Sequence, residues 1–179
     1  MGNTAKINSG FFKALLSVVF CISCSQQQPV VIDDRDLLLE QFLSAIKKIE
    51  SSDGKYINHA IIQKGPYKGY AAIGSYGLLP TTVRELVDTY YKSFLVIRHC
   101  SDEDFAYLVV ANPAIEYLLA KKLAIKILEK NNYNLIRSAY AWNVGHNKDL
   151  SKISEEKILN NVNAKKMKEI LTPSIFSVF

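Results

Sequence analysis

Five of the chain's eight glycines fall between positions 54 and 77, at Gly54, Gly65, Gly69, Gly74 and Gly77. This clustering constrains the fold more than any other feature. Glycine weakens the interior of a helix or strand and is at home in tight turns. The stretch therefore reads as loop, with room for a short hairpin. Pro66 and four tyrosines, Tyr56, Tyr67, Tyr70 and Tyr76, share it. Loops of this length inside a compact domain are usually functional.

Helical sequence flanks the loop on both sides. "RDLLLEQFLSAIKKIE", Arg35 to Glu50, has no Gly or Pro and puts Leu39, Leu43 and Ile46 on one face. Asp33 or Asp34 can cap it, and "SSDG", Ser51 to Gly54, supplies the stop. Pro80 suits the first turn of a second helix, "PTTVRELVDTYYKSFLVI", with Val83, Leu86, Val87 and Tyr90 at helical spacing. "RHCSDEDFAYLVVAN" starts a third, with Ser101 as cap and Asp104 three residues on. "NPAIEYLLAKKLAIKILEKNN" is a fourth, beginning at Pro113, and "YNLIRSAYAWN" a fifth that ends before Gly145. "SKISEEKILNNVNAKKMKEILT" reads as one amphipathic sixth helix, with Ile153, Ile158, Val162, Met167 and Ile170 on its apolar side. The expected fold class is mainly α, with a Tyr/Gly-rich loop or small hairpin inserted early.

Composition fits one globular domain with a real core: 179 residues, 49% hydrophobic and 22% charged. No run of apolar residues is long enough for an ordinary membrane span. The net charge of +5 favours anionic partners without naming one. Basic residues are scattered rather than striped, so nucleic acid is not an expected partner. His59, His99 and His146 lack ligand spacing, and neither a metal nor another cofactor is expected. There is no phosphate loop and no serine nucleophile elbow.

Residues 1–24 combine Lys6 and Lys13, no acidic residue, the uncharged run "ALLSVVFCIS" and a polar exit at "CSQQQP". That order describes an export signal. "CISC" resembles the lipobox of bacterial lipoproteins, which would make Cys24 a lipid anchor on a membrane surface. Residues 25–34 follow as a polar linker. Cys100 remains as a single internal thiol, so an internal disulfide cannot hold the mature domain.

Glu50 is the residue with chemical promise. It continues the Leu39, Leu43 and Ile46 face, so it emerges at the edge of the core, at the negative end of its own helix. Partial desolvation and the helix end both favour the protonated acid, which is what general acid catalysis needs. Position alone favours the simpler reading, a frayed helix end whose Glu reaches water.

Three elements set Glu50 in a pattern. "IESSDGK" resembles the Glu-Ser motif of the lytic transglycosylases, relatives of goose-type lysozyme. "GSYGLLPTT", Gly74 to Thr82, stands where that family has Gly-Leu-Met-Gln-x-Met-Pro-x-Thr. "AWNVG", Ala141 to Gly145, stands in place of Ala-Tyr-Asn-Ala-Gly, and "NPAIEYLLAKKLAIKIL" is similar to the Asn-Pro helix that precedes it. The order and intervals agree across Arg35 to Asn147. Gly77 replaces the family Gln, Trp142 replaces Tyr, and Glu116 stands where the helix usually has Asn, which suggests a divergent branch, phage-derived as one option.

The resemblance implies a lysozyme-like helical domain over 35–147, with 148–179 as a C-terminal helical extension. It implies a substrate, peptidoglycan glycan strands, cut between N-acetylmuramic acid and N-acetylglucosamine. Glu50 would be the single acid and base, with no cofactor, and the product a 1,6-anhydro sugar. Ser51, Gly74, Tyr76, Gly77, Thr82, Trp142 and Asn143 would contact substrate, with Tyr70 a further stacking ring and His59 a further cleft residue. Asp53 reads as a turn former. The implied location is outside the cytoplasm, in the periplasm or as an outer-membrane lipoprotein, or with a phage. A non-catalytic wall-binding or assembly protein and a hydrolytic lysozyme remain as alternatives, and partner proteins are not indicated.

Overall fold

The computed structural model describes residues 34–63, 67–91 and 100–176. The export segment with Cys24, most of the linker, His99 and the expected end of the second helix at residues 92–97 lie outside them. Among the described residues there are seven helices and two short strands, so the fold is mainly α. They are α1 (Asp34–Ser51), β1 (Asn58–Ile61), β2 (Ala71–Ile73), α2 (Pro80–Tyr90), α3 (Asp102–Val110), α4 (Pro113–Lys130), α5 (Leu135–Val144), α6 (Glu155–Leu159) and α7 (Val162–Phe176).

The local signals act as written. Pro80 and Pro113 open α2 and α4, where a missing backbone N–H leaves no helical bond unmade. Asn112 accepts from the amides of Ala114 and Ile115, Ser101 accepts from Asp104, and Asn134 accepts from Arg137. Gly145 ends α5 at φ 107°, a conformation that L side chains rarely adopt. The glycine-rich stretch holds the antiparallel pair β1–β2, with Asn58 opposite Ile73 and Ile61 opposite Ala71 and an irregular register between. The sequence "SKISEEKILNNVNAKKMKEILT" does not form one helix. Its chain breaks at Asn160 and Asn161, because the Asn161 side chain accepts from the amides of Asn163 and Ala164 and so starts a new helix.

The core is built by α1, α2, α4 and α5, with Phe42, Leu43, Ile46, Val83, Leu119, Ile127 and Leu128 almost fully buried. Residues of the expected C-terminal helical extension pack into the same core. Ile158 and Met167 are completely covered, and α7 lies against both α5 and α1. At the other side, Arg84 on α2 pairs with Asp102, donates to the Cys100 carbonyl at 2.9 Å and lies 4.3 Å over the Phe105 ring. This seats α3 on α2. Among the described residues no helix is long and apolar enough to cross a membrane.

Phe42 joins the core to the loop side, meeting Trp142 edge-on with ring centroids 5.9 Å apart. Phe42→Ala removes a fully buried ring and is expected to lower stability by about 3–5 kcal/mol. The urea midpoint measures this, and an unchanged midpoint would contradict the packing.

Candidate active site

Glu50 occupies the last turn of α1, where the helix leaves the core. Its side chain opens on a cleft of about 210 Å³. Gly77, Thr82, Trp142 and Asn143 line the same cleft. Elements far apart in sequence thus deliver four of the expected contact residues beside the candidate acid.

The carboxyl is closely held. Asn163 donates from Nδ2 to Glu50 Oε1 at 2.6 Å, and Asn163 is itself only 3% exposed. Oε2 lies against Gly77, where an added Cβ would come within 2.8 Å of it. Gly77 sits at φ 62°, so both the space and the backbone favour glycine there. Burial pushes Glu50 above the ordinary carboxylate range, against the opposing effects of the Asn163 hydrogen bond and the nearby charges of His59 and Lys166.

The turn carrying Gly77 is gripped from its other side by Glu116. This carboxylate is buried in the first turn of α4 and accepts the Tyr76 backbone N–H at 2.9 Å. A Cβ on Gly74 would meet Glu116 Oε1 at 2.4 Å. Burial raises the Glu116 pKa, while backbone hydrogen bonds from Tyr76 and Ser75 work against it. The Gly74 carbonyl accepts from His59 Nε2 at 3.0 Å, so His59 ties β1 to this turn.

Several expected contact residues have other positions. Tyr76 is 7% exposed and packs in the core instead of lining the cleft, and burial beside Glu116 pushes its phenol up to about 12. Ser51 is also buried: its hydroxyl donates to the Lys47 carbonyl at 2.9 Å and accepts the Gly54 amide at 2.8 Å. It fastens the end of α1 and does not line the cleft. Gly74 accommodates Glu116 and likewise stays off the cleft wall. Tyr70 is half-buried and off the wall too. Asp53 sits in the turn after α1 at φ 64°, as a turn former would. The Trp142 indole N–H donates to the Tyr76 carbonyl at 3.2 Å, so it braces the turn and is not spent on Glu50. Asn143 Oδ1 accepts from Asn161 Nδ2 at 2.8 Å.

Three cleft or near-cleft residues escaped the sequence reading. Tyr67 lines the cleft and stands close to Gly145. His146 lines it as well and pairs with Glu85 at 3.3 Å, while Lys126 holds the same Glu85 oxygen at 3.0 Å. Burial lowers the His146 pKa, which favours a neutral ring. Asn163 comes from a segment 113 positions from Glu50, and no spacing rule connects the two. Among the described residues no group of His, Cys, Asp and Glu is arranged to hold a metal ion.

No protein-family model, curated protein or solved structure matches the chain.

The raised Glu50 pKa has a consequence for stability. The folded state holds this proton more tightly than the unfolded chain. Stability from this group is therefore full below the unfolded pKa, near 4.3, and is lost as pH rises through the folded value. Glu50→Gln removes the ionised form, so it is expected to raise the melting temperature at neutral pH. The gain over wild type should shrink toward zero in acid. A variant less stable than wild type at neutral pH would contradict a burial penalty on the Glu50 charge.

Proposed function

We propose that this protein is a lytic transglycosylase with a lysozyme-like helical domain, cutting peptidoglycan strands between N-acetylmuramic acid and N-acetylglucosamine. The observation that carries the proposal is the Glu50 carboxyl: desolvated, raised in pKa, and the sole carboxylate among the described residues that line the cleft. Glycosidases with two carboxylates hold them about 5–9.5 Å apart on opposite faces of the scissile bond. A cleft wall with one acid favours chemistry in which that acid both gives and takes the proton.

In the proposed reaction, Glu50 gives its proton to the bridging oxygen as the glycosidic C–O bond breaks. Positive charge develops on the anomeric carbon. The Glu50 carboxylate then takes the proton of the same sugar's 6-hydroxyl, and that oxygen bonds to the anomeric carbon. The anhydro ring closes and Glu50 is again protonated, so the step balances without water. The cleft is smaller than the roughly 300 Å³ at which drug-sized pockets begin. It suits one sugar of a polymer that continues past the opening. Trp142 and Tyr67 offer ring faces, and Thr82 and Asn143 offer polar groups for the sugar substituents. An N-terminal export segment, with Cys24 as a lipid anchor, would bring the domain to the wall in the periplasm or on the outer membrane. A phage lysis enzyme would need the same reach.

The wall-binding alternative is favoured by one observation, the commitment of the Trp142 indole N–H to Tyr76. Turnover separates the readings. The purified protein is expected to release glycan fragments from insoluble peptidoglycan, with a mass showing anhydro ends. Glu50→Gln should reduce release by at least about a thousandfold, of the size seen when one essential catalytic group is removed. Activity should fall as pH rises through the raised Glu50 pKa, since the acid form starts the reaction. Wall binding with no fragments would overturn the enzymatic reading, and reducing ends without anhydro sugar would make it a hydrolase.

A further inference from the structure

We propose that Asn163 is the positioning residue that determines which oxygen of Glu50 carries the catalytic proton. The inference rests on the reading of Glu50 as the acid. An amide nitrogen has hydrogens to give and no lone pair to accept with. Nδ2 of Asn163 lies 2.6 Å from Oε1, so Oε1 accepts, and the proton of the neutral acid resides on Oε2. Oε2 is the oxygen that faces Gly77, where a Cβ would crowd it at 2.8 Å. Gly77 lines the cleft. The missing side chain leaves Oε2 open on the side from which a glycosidic oxygen would come.

Asn163 has little freedom to do otherwise. It is 3% exposed, in the first turn of α7. The Asn161 side chain accepts the Asn163 amide at 2.9 Å and donates to Asn143 on the cleft wall at 2.8 Å. A run of amides thus connects the cleft surface on α5 to the start of α7, and from there to Glu50. The Trp142 indole is committed to the Tyr76 carbonyl, so the amide donor to Glu50 arrives from α7 and not from α5. This gives the C-terminal helix a place in the active site, through a residue that touches the acid and not the substrate.

The charged groups facing Glu50 are His59 from β1 and Lys166 from α7, and both favour its ionised form. They stay in place when Asn163 is changed, so comparing variants isolates the amide. The test is a carbon-13 carboxyl NMR titration of the full chain, with the Glu50 signal assigned by its loss in Glu50→Gln. Asn163→Leu replaces the donor with an apolar group of similar size, and Asn163→Asp, nearly identical in shape, puts a second carboxyl beside the first. Both are expected to move the Glu50 midpoint upward, because the ionised form loses its donor or gains a like charge. Glu85 and Glu116 should titrate as in wild type.

In parallel, the basic limb of the fragment-release profile should move upward with the NMR midpoint. The plateau rate should fall about 10–100-fold, as expected for a misplaced acid. An unmoved Glu50 midpoint in a folded Asn163→Asp protein overturns the proposal. A wild type that releases no fragments would instead overturn the enzymatic reading, and the titration would still decide whether Asn163 controls the Glu50 proton.

Discussion

The turn from Gly74 to Gly77 lies between two desolvated carboxylates, and the space of a single Cβ at each end would be enough to displace them. Glu116 presses on Gly74 from α4, and Glu50 presses on Gly77 from α1. Neither carboxylate has a cationic partner within salt-bridge distance among the described residues. Each is instead satisfied by neutral donors: the Tyr76 amide for Glu116 and the Asn163 amide for Glu50. Neutral donors steady a carboxylate without cancelling its desolvation, so both acids hold their protons longer than usual. The cleft geometry depends on this arrangement, since Tyr76 also accepts the Trp142 indole and so fixes one cleft wall.

The two acids differ in what they face. Glu116 is 4% exposed and its hydrogen bonds point into the turn, so it acts as a brace. Glu50 is only partly buried and opens on the cleft, so its proton can reach a ligand. Such a division of roles between like groups follows from their surroundings. It also comes with a structural cost: a charge on either acid opposes folding, and the close packing of α1, α4, α5 and α7 must outweigh it.

Much of the frame is legible in the linear sequence because its causes are local. Pro80, Pro113, Ser101, Asn112 and Gly145 act on backbone groups within a few residues, so their helix ends appear where the sequence puts them. The Leu39, Leu43 and Ile46 face needs only helical periodicity to mark the core side of α1. The sixth helix is less legible. Asn160 and Asn161 interrupt an otherwise suitable amphipathic run, and whether such residues end a helix or face solvent depends on the partner they find. Asn161 finds Asn143, across a distance the sequence does not measure.

The site divides along the same line. The amino-acid sequence by itself determined a mainly helical chain, a glycine-rich turn segment, and a carboxylate at the end of an apolar helical face. It also marked Gly77, Thr82, Trp142 and Asn143, which meet Glu50 at one cleft. Only the tertiary structure decided that Ser51 and Tyr76 turn inward, that Glu116 braces the turn, and that Asn163 holds the acid. Periodicity and capping report which way a side chain leaves its own backbone. Which distant group fills its last hydrogen bond is set by packing between helices, and for Glu50 that group is Asn163.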